Sequence, residues 1–421
     1  MIETLVLSPG VTLRCYKDHR FKQGCFSFQI VRPMCAEEAA MNALLPAILL
    51  RGTAKRPDLR SITWHLDDLY GAAIGAQVRR IGDYQTTGLA CSFMEDRYAM
   101  DGDQILAPML DFLRELLLEP VLEDGGFSRE FVRSEKKNLI STIESELNDK
   151  RAYAAGKLLK TMCVSDSFGI PRLGDVESVE KIDAVSLYNH YQRILREGRI
   201  ELFYVGSAPA EQIAPLAKTL LAGLERDYVN LPEQTAFHDE VGQHHCQEMD
   251  ISQSVLCMGL ATPITNRMED FVHVQLFNVI FGAGMTSKLF LNVREKMSLC
   301  YFIGSGYYGV KGIATVSAGI DADQEQTVQA EILRQLDACK QGDISDAELA
   351  AAREALLSGL QAIYDSPAAI EGYHTTAILG GLCLSPEEYR RHVQEATIED
   401  VVSAANTVQL HSSFFLKGVG A

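Results

Sequence analysis

Two rhythms of apolar and polar positions alternate along this chain, one of period two and one of period three to four. Gly24–Ile30 (GCFSFQI) alternates as a half-buried strand does, and Thr4–Leu7 and Thr12–Tyr16 are short strands joined by a Pro9-Gly10 turn. Glu37–Leu50 (EEAAMNALLPAILL) carries a helical pattern in which Pro46 removes one backbone donor and predicts a kink. Gly52 stops that helix. Ser61–Leu69 is a second helix, followed by strands at Ala76–Arg80 and Tyr84–Phe93. Helical spacing returns over Gln104–Leu118, Glu130–Lys160, Val179–Arg196 and Glu211–Leu224, with a strand at Ile200–Val205.

The second half repeats this order. Ser252–Leu260 is a strand, Met268–Phe281 a helix, Tyr307–Ile320 holds strands bent at glycines, and Gln324–Lys340 mirrors Gln104–Leu118. Ser345–Ile363 mirrors Ser128–Glu146; from Ser128 to Ser345 the offset is 217 residues, about half the chain. Ser345-x-x-Glu348 is a capping box. Asp227–His245 has weak periodicity and many polar residues, as exposed linkers do. The predicted fold is α+β: two similar domains, 1–226 and 246–421, joined by a linker at 227–245, each an antiparallel sheet packed with helices. Adjacent His244 and His245 lie on opposite faces of any strand and so do not share a metal ion.

Composition narrows the class. With 421 residues, 47% hydrophobic and 23% charged, the chain has ample material for two cores. Its formal net charge of −17 argues against nucleic acid or an anionic membrane as partner. No run approaches the roughly 20 apolar residues of a membrane span, and the start lacks a signal-peptide pattern. Ten cysteines without a C-x-x-C pair fit a reduced, cytoplasmic protein.

The stretch Phe281–Tyr301, FGAGMTSKLFLNVREKMSLCY, is the richest in chemistry. Gly282 and Gly284 allow a tight turn and close backbone approach. Ser287 or Thr286 caps a helix on which Leu289, Phe290 and Val293 recur at helical spacing. Arg294 stands at its end, and Tyr301 follows on the next strand. A guanidinium and a phenol held together suit peptide carbonyls and carboxylates. The plainer alternative is a surface ion pair of Arg294 with Glu295, and Tyr301 in a core. Cys300 is read as buried packing, and Gly304-Ser-Gly306 has no helix behind it to form a phosphate site. Neither G-x-S-x-G, H-x-x-E-H nor H-E-x-x-H occurs in the chain.

Taken together, the helix–RGT–helix–Gly-Ala–strand order, the segment GAGMTSKLFLNVREKMSLCY and FGIPRLGDVESVEKI (Phe168–Ile182) resemble the pitrilysin/insulinase (M16) clan of zinc peptidases over nearly the whole chain. That family holds zinc with an inverted H-x-x-E-H motif just before the x-G-T turn. Registered on Gly52-Thr53, the resemblance places Ala43 and Ala47 at the two histidines and Pro46 at the base glutamate. The third ligand aligns near Thr142, with Glu135 and Glu144 close by. Alanine offers no donor atom and proline takes no proton, so no metal and no catalysis are expected in this chain itself.

Arg294 and Tyr301 match the residues with which active relatives bind substrate backbone. In one subgroup the peptidase is split between a zinc-bearing chain and one that lacks the motif but keeps this Arg and Tyr. The sequence is similar to that second kind, including the bacterial group found with elongation-factor-P modification genes. The resemblance implies a non-catalytic, substrate-binding subunit of a heterodimeric M16 peptidase, with zinc only in its paralogous partner. There Arg294, Tyr301, Gly282 and Gly284 line the substrate chamber, and a free sheet edge of the first domain pairs with extended peptide. The alternative is a homodimeric peptide-binding or structural scaffold with no role in proteolysis.

Overall fold

A computed structural model describes residues 2–146, 148–238 and 242–420. The chain begins with β1 (Ile2–Ser8), β2 (Val11–Lys17) and β3 (Gln23–Pro33), followed by α1 (Ala36–Leu49) and α2 (Leu59–Asp68). The hairpin β4 (Ala73–Ile81) and β5 (Tyr84–Met94) leads to α3 (Leu106–Leu118) and the small hairpin β6 (Leu122–Glu123) and β7 (Gly126–Phe127). Next come α4 (Arg129–Ser145), α5 (Lys150–Met162), α6 (Val176–Lys181), α7 (Ala184–Glu197), β8 (Arg199–Gly206) and α8 (Ala210–Leu220).

The second half opens with β9 (His244–Met249), β10 (Ser254–Ala261) and α9 (Phe271–Phe281). A π-helical segment, Leu289–Lys296, precedes β11 (Phe302–Tyr308) and β12 (Ile313–Ile320). The chain ends with α10 (Glu325–Lys340), α11 (Asp346–Ala362), α12 (Pro367–Leu379), α13 (Pro386–Glu395), α14 (Ile398–Thr407) and β13 (Gln409–Gly418).

Two compact units result, and neither is continuous in sequence. The first comprises Met1–Glu144, Ile170–Glu233 and Ile363–Thr376; the second comprises Ser145–Gly169, Gln234–Ala362 and Ala377–Ala421. The first sheet runs β1-β2-β8-β3-β5-β4 and the second β9-β13-β10-β12-β11. Leaving out β1, the two orders are the same. In each sheet one pair is parallel, β2 with β8 and β9 with β13, and all the others are antiparallel.

In the first unit, alternate residues of the central strands (Leu13, Phe26, Phe28, Leu89, Leu202, Tyr204) form one apolar face, packed with residues of α1, α3, α7 and α8 into the largest core. The opposite face receives a helix from the other half of the sequence. Ile370 of α12 packs on Cys25, Phe203 and Val205. In the second unit, Ala154 and Leu158 of α5 pack on Val255, Cys257, Phe414 and Leu416. Helices α5 and α12 are each 13 residues long and stand at the same offset of 217 residues as Ser128 and Ser345. The units thus exchange equivalent helices over equivalent strands.

Local chemistry explains the element ends. Asp58, Asp183, Ser385 and Thr397 close capping boxes at the starts of α2, α7, α13 and α14. Pro46 does not end α1. The carbonyl it leaves without a helical donor, that of Asn42, accepts instead from the Thr87 hydroxyl at 2.6 Å. The expected run Glu130–Lys160 is two helices, broken before the Asp149 N-cap, whose carboxylate accepts from Arg151 and Ala152 backbone N–H groups.

Candidate functional site

In the second unit, α9 ends on Gly282, whose N–H donates to Asn278 O at 2.9 Å and whose carbonyl accepts from Ser305 N–H of β11 at 3.0 Å. A Cβ at this position would meet Ser305 Oγ at 2.6 Å and Leu289 Cδ1 at 2.8 Å, so glycine is required by close approach. Gly284 has φ +154 and faces open space. Its carbonyl accepts from the Ser287 hydroxyl at 2.7 Å, and the same hydroxyl accepts from Phe290 N–H at 3.3 Å, making Ser287 the residue that starts the helix.

That helix is wound wider than an α-helix: Met297 N–H reaches back five residues to Asn292 O at 3.1 Å. Leu289 and Val293 are fully buried. Arg294 lies on the outer side with its side chain 40% exposed, its guanidinium 4.7 Å from the Phe290 ring centre and its Nε 3.8 Å from Glu295. Ser298 takes a left-handed φ of +53, and Cys300 is buried. Burial pushes the Cys300 thiol up to about 11, against the smaller downward pull of Arg294, so it is no nucleophile at neutral pH.

Tyr301 immediately precedes β11. Its N–H continues the strand pairing to Gly319 O at 2.8 Å, and its side chain is 60% exposed. The phenol donates to Asp321 Oδ1 at 3.0 Å, which raises its pKa by disfavouring the phenolate. Arg294 and Tyr301 are therefore both open to solvent on the second unit. Each has its own neighbour, and no hydrogen bond joins them among the described residues.

The other candidate residues lie in the first unit. Ala43 and Pro46 are buried on α1 and Ala47 is half-buried; Ala43 belongs to the main core. Thr142 is exposed on α4, donating to Asn138 O at 2.9 Å. Glu135 accepts from Arg51 at 3.3 Å and from Asn138 at 3.0 Å. Two methyl groups, a pyrrolidine and an already-paired carboxylate do not fit a zinc ion. Among the described residues no group of three or more His, Cys, Asp or Glu is placed to hold a metal.

The flank of α1 instead carries a buried polar network that sequence reasoning missed. Asn42 Nδ2 donates to Gln85 Oε1 at 2.9 Å, and Asn42 Oδ1 meets His190 Nε2 at 2.7 Å. Gln85 Nε2 also donates to Ala39 O and Arg172 O. Glu38 accepts from Arg32 and Arg193, both at distances of 3.0 Å or less. Burial raises the Glu38 carboxyl, but those two guanidinium groups outweigh it and hold it at about 2. Burial lowers His190 to about 4, so its ring is neutral at pH 7. Polar residues at helical spacing on α1 were the available signal, but their partners lie up to 155 positions away in sequence.

Comparison with known proteins shows what this architecture is similar to. The family model for the peptidase M16 inactive domain matches residues 181–356. A probable inactive metalloprotease of Bacillus subtilis is 28% identical over 97% of this chain and 96% of its own length. A conserved protein of Enterococcus faecalis has a crystal structure that superposes with a TM-score of 0.91, at 26% identity, over 99% of this chain and 98% of that one. A peptidase M16 inactive domain from Pseudomonas fluorescens superposes with a TM-score of 0.81 at 18% identity, covering 100% and 99%. Over most of its length the chain is thus similar to inactive M16-type peptidase homologues. No helix among the described residues is long and apolar enough to cross a membrane, and the ten cysteines form no disulfide.

Proposed function

We propose that this protein is the non-catalytic, substrate-binding subunit of a heterodimeric M16-type zinc peptidase. Arg294 and Tyr301 enter the active site of a zinc-bearing partner and hold the peptide backbone there, beside the turn at Gly282 and Gly284. The observation that carries this reading is exposure. The core claims neither side chain, although Leu289, Val293 and Cys300 close by in the same stretch are buried. A guanidinium donates only and a protonated phenol can donate, so both suit the carbonyl oxygen on which charge develops during hydrolysis. Zinc, the attacking water and the general base come from the partner, and the pair is cytoplasmic.

The test is co-expression with a zinc-motif paralogue from the same source, followed by peptide hydrolysis by the purified pair. Arg294→Ala is expected to lower kcat/KM by about 100-fold, the scale of one lost oxyanion donor. Its thermal stability should stay within about 0.5 kcal/mol of the parent, because the side chain is on the surface. Full activity in the Arg294→Ala pair rules the clamp out.

A further inference from the structure

The first unit carries a groove of about 340 Å³ along α4, on a face that neither the zinc-motif positions nor Arg294 and Tyr301 use. Its floor is apolar: Val132, Ile140, Ile182 and Ala184. Its cations are Arg129, Arg133, Lys136 and Lys137, which recur along one side of the helix.

Two of these cations have structural work. Arg129 pairs with Asp124 at 3.1 Å in the open. Lys136 Nζ donates to Glu180 O at 2.8 Å and Ile182 O at 2.6 Å, closing the end of α6. The one acid in the groove, Asp183, is spent as the N-cap of α7, accepting from Val185 and Ser186 N–H groups. Arg133 and Lys137 are exposed, and among the described residues neither has a hydrogen-bond or ion-pair partner.

The internal repeat provides a control. At the 217-residue offset, α11 presents Asp346, Ala350 and Glu354 where α4 presents Arg129, Arg133 and Lys137. The interior positions match in role: Val132 and Leu349 are both buried, and Arg353, like Lys136, donates to the carbonyl before the next N-cap, that of Ala396. The repeat therefore keeps a cation at the position of Lys136 and does without one at those of Arg133 and Lys137, which have no partner among the described residues.

We infer that this groove docks an acidic, amphipathic segment of another protein. Apolar side chains of that segment fill the floor, and its carboxylates meet Arg133 and Lys137. An apolar floor fits protein side chains better than phosphates. The net charge of −17 disfavours a long polyanion as the occupant. The inference stands apart from the proposed zinc-bearing partner, because its test needs no peptidase.

The probe is a fluorescein-labelled helical peptide of about 12 residues, long enough to cover Arg129 to Ile140 at 1.5 Å per residue. It bears leucines on one face and glutamates elsewhere. Anisotropy with the full chain is expected to show saturable binding that weakens about ten-fold in the Arg133→Glu/Lys137→Glu variant. The charge-matched Arg390→Glu/Arg391→Glu variant should bind as the parent does. Absence of binding overturns the inference. So does equal weakening by both variants, or groove-dependent binding that is tighter for single-stranded DNA or phosphatidylserine vesicles than for the peptide.

Discussion

The same helix serves twice in this molecule, and the two uses differ in chemistry. Over the second sheet, α5 sets Ala154 and Leu158 against Val255, Cys257, Phe414 and Leu416, an entirely apolar seam. Over the first sheet, the positions equivalent to Ala154 and Leu158 on α12 are Glu371 and Thr375. Glu371 is 1% exposed and accepts from Ser27 Oγ at 2.8 Å, from Arg79 at 2.7 and 3.2 Å, and from Thr375. Identical scaffolding thus tolerates either seam. The ionic one is intolerant of a missing member, since each group is desolvated on the strength of the others.

The comparison breaks most sharply at Glu371. Glu371→Ala makes the first seam resemble the second but leaves Arg79 without its counter-charge, and is expected to cost about 3–5 kcal/mol in urea unfolding. Adding Arg79→Met and Ser27→Ala should recover much of that loss, because an apolar seam needs no partners. A single Glu371→Ala change costing under about 1 kcal/mol would show the ion pair to be dispensable.

A second contrast lies between His190 of α7 and Ala404, its counterpart on α14 counted from the N-caps Asp183 and Thr397. Burial holds His190 at about 4 in the fold against an ordinary value of 6.5, so the unfolded chain binds the proton first. The stability this contributes is complete above pH 6.5 and falls as pH drops toward 4, by about 2 kcal/mol at pH 5. Glu38 also favours higher pH, but its loss falls lower, between about 4.5 and 2. Replacing His190 with Asn should flatten the pH 5–7 limb of stability measured by denaturant titration. An unchanged limb would put the titrating group elsewhere.

The smallest expected effect is at Gly282. Gly282→Ala brings a methyl against Ser305 and Leu289, and about 1–2 kcal/mol should be lost as these side chains shift. Differential scanning calorimetry of this variant reads how rigidly the turn below Arg294 and Tyr301 is held. No change in Tm would mean that the turn gives way freely.

Much of the fold is legible in the pattern. Alternation marks the strands around Phe26 and Leu202, helical spacing marks α1, α3 and α10, and the 217-residue repeat announces two like units. The exchange of α5 and α12 is not legible, because nothing near Ala154 or Glu371 tells which sheet will receive them; that is decided by contacts hundreds of residues away. The helix through Pro46 is legible as Glu37–Leu50, but the hydroxyl that takes up the freed carbonyl is not, since it belongs to Thr87 on β5. The expected site is written in the letters of Phe281–Tyr301, but its wide helical winding is not, since its apolar spacing is that of an ordinary helix. The Asn42–His190 network was out of reach for the same reason as the exchange.

The exchange also sets a timetable for synthesis. As the nascent chain leaves the ribosome, the first sheet has all its strands by Gly206, yet Ser27 and Arg79 wait for a carboxylate encoded 165 codons later. A gene fragment stopping near residue 226 would translate the strands and never the helix that seals them.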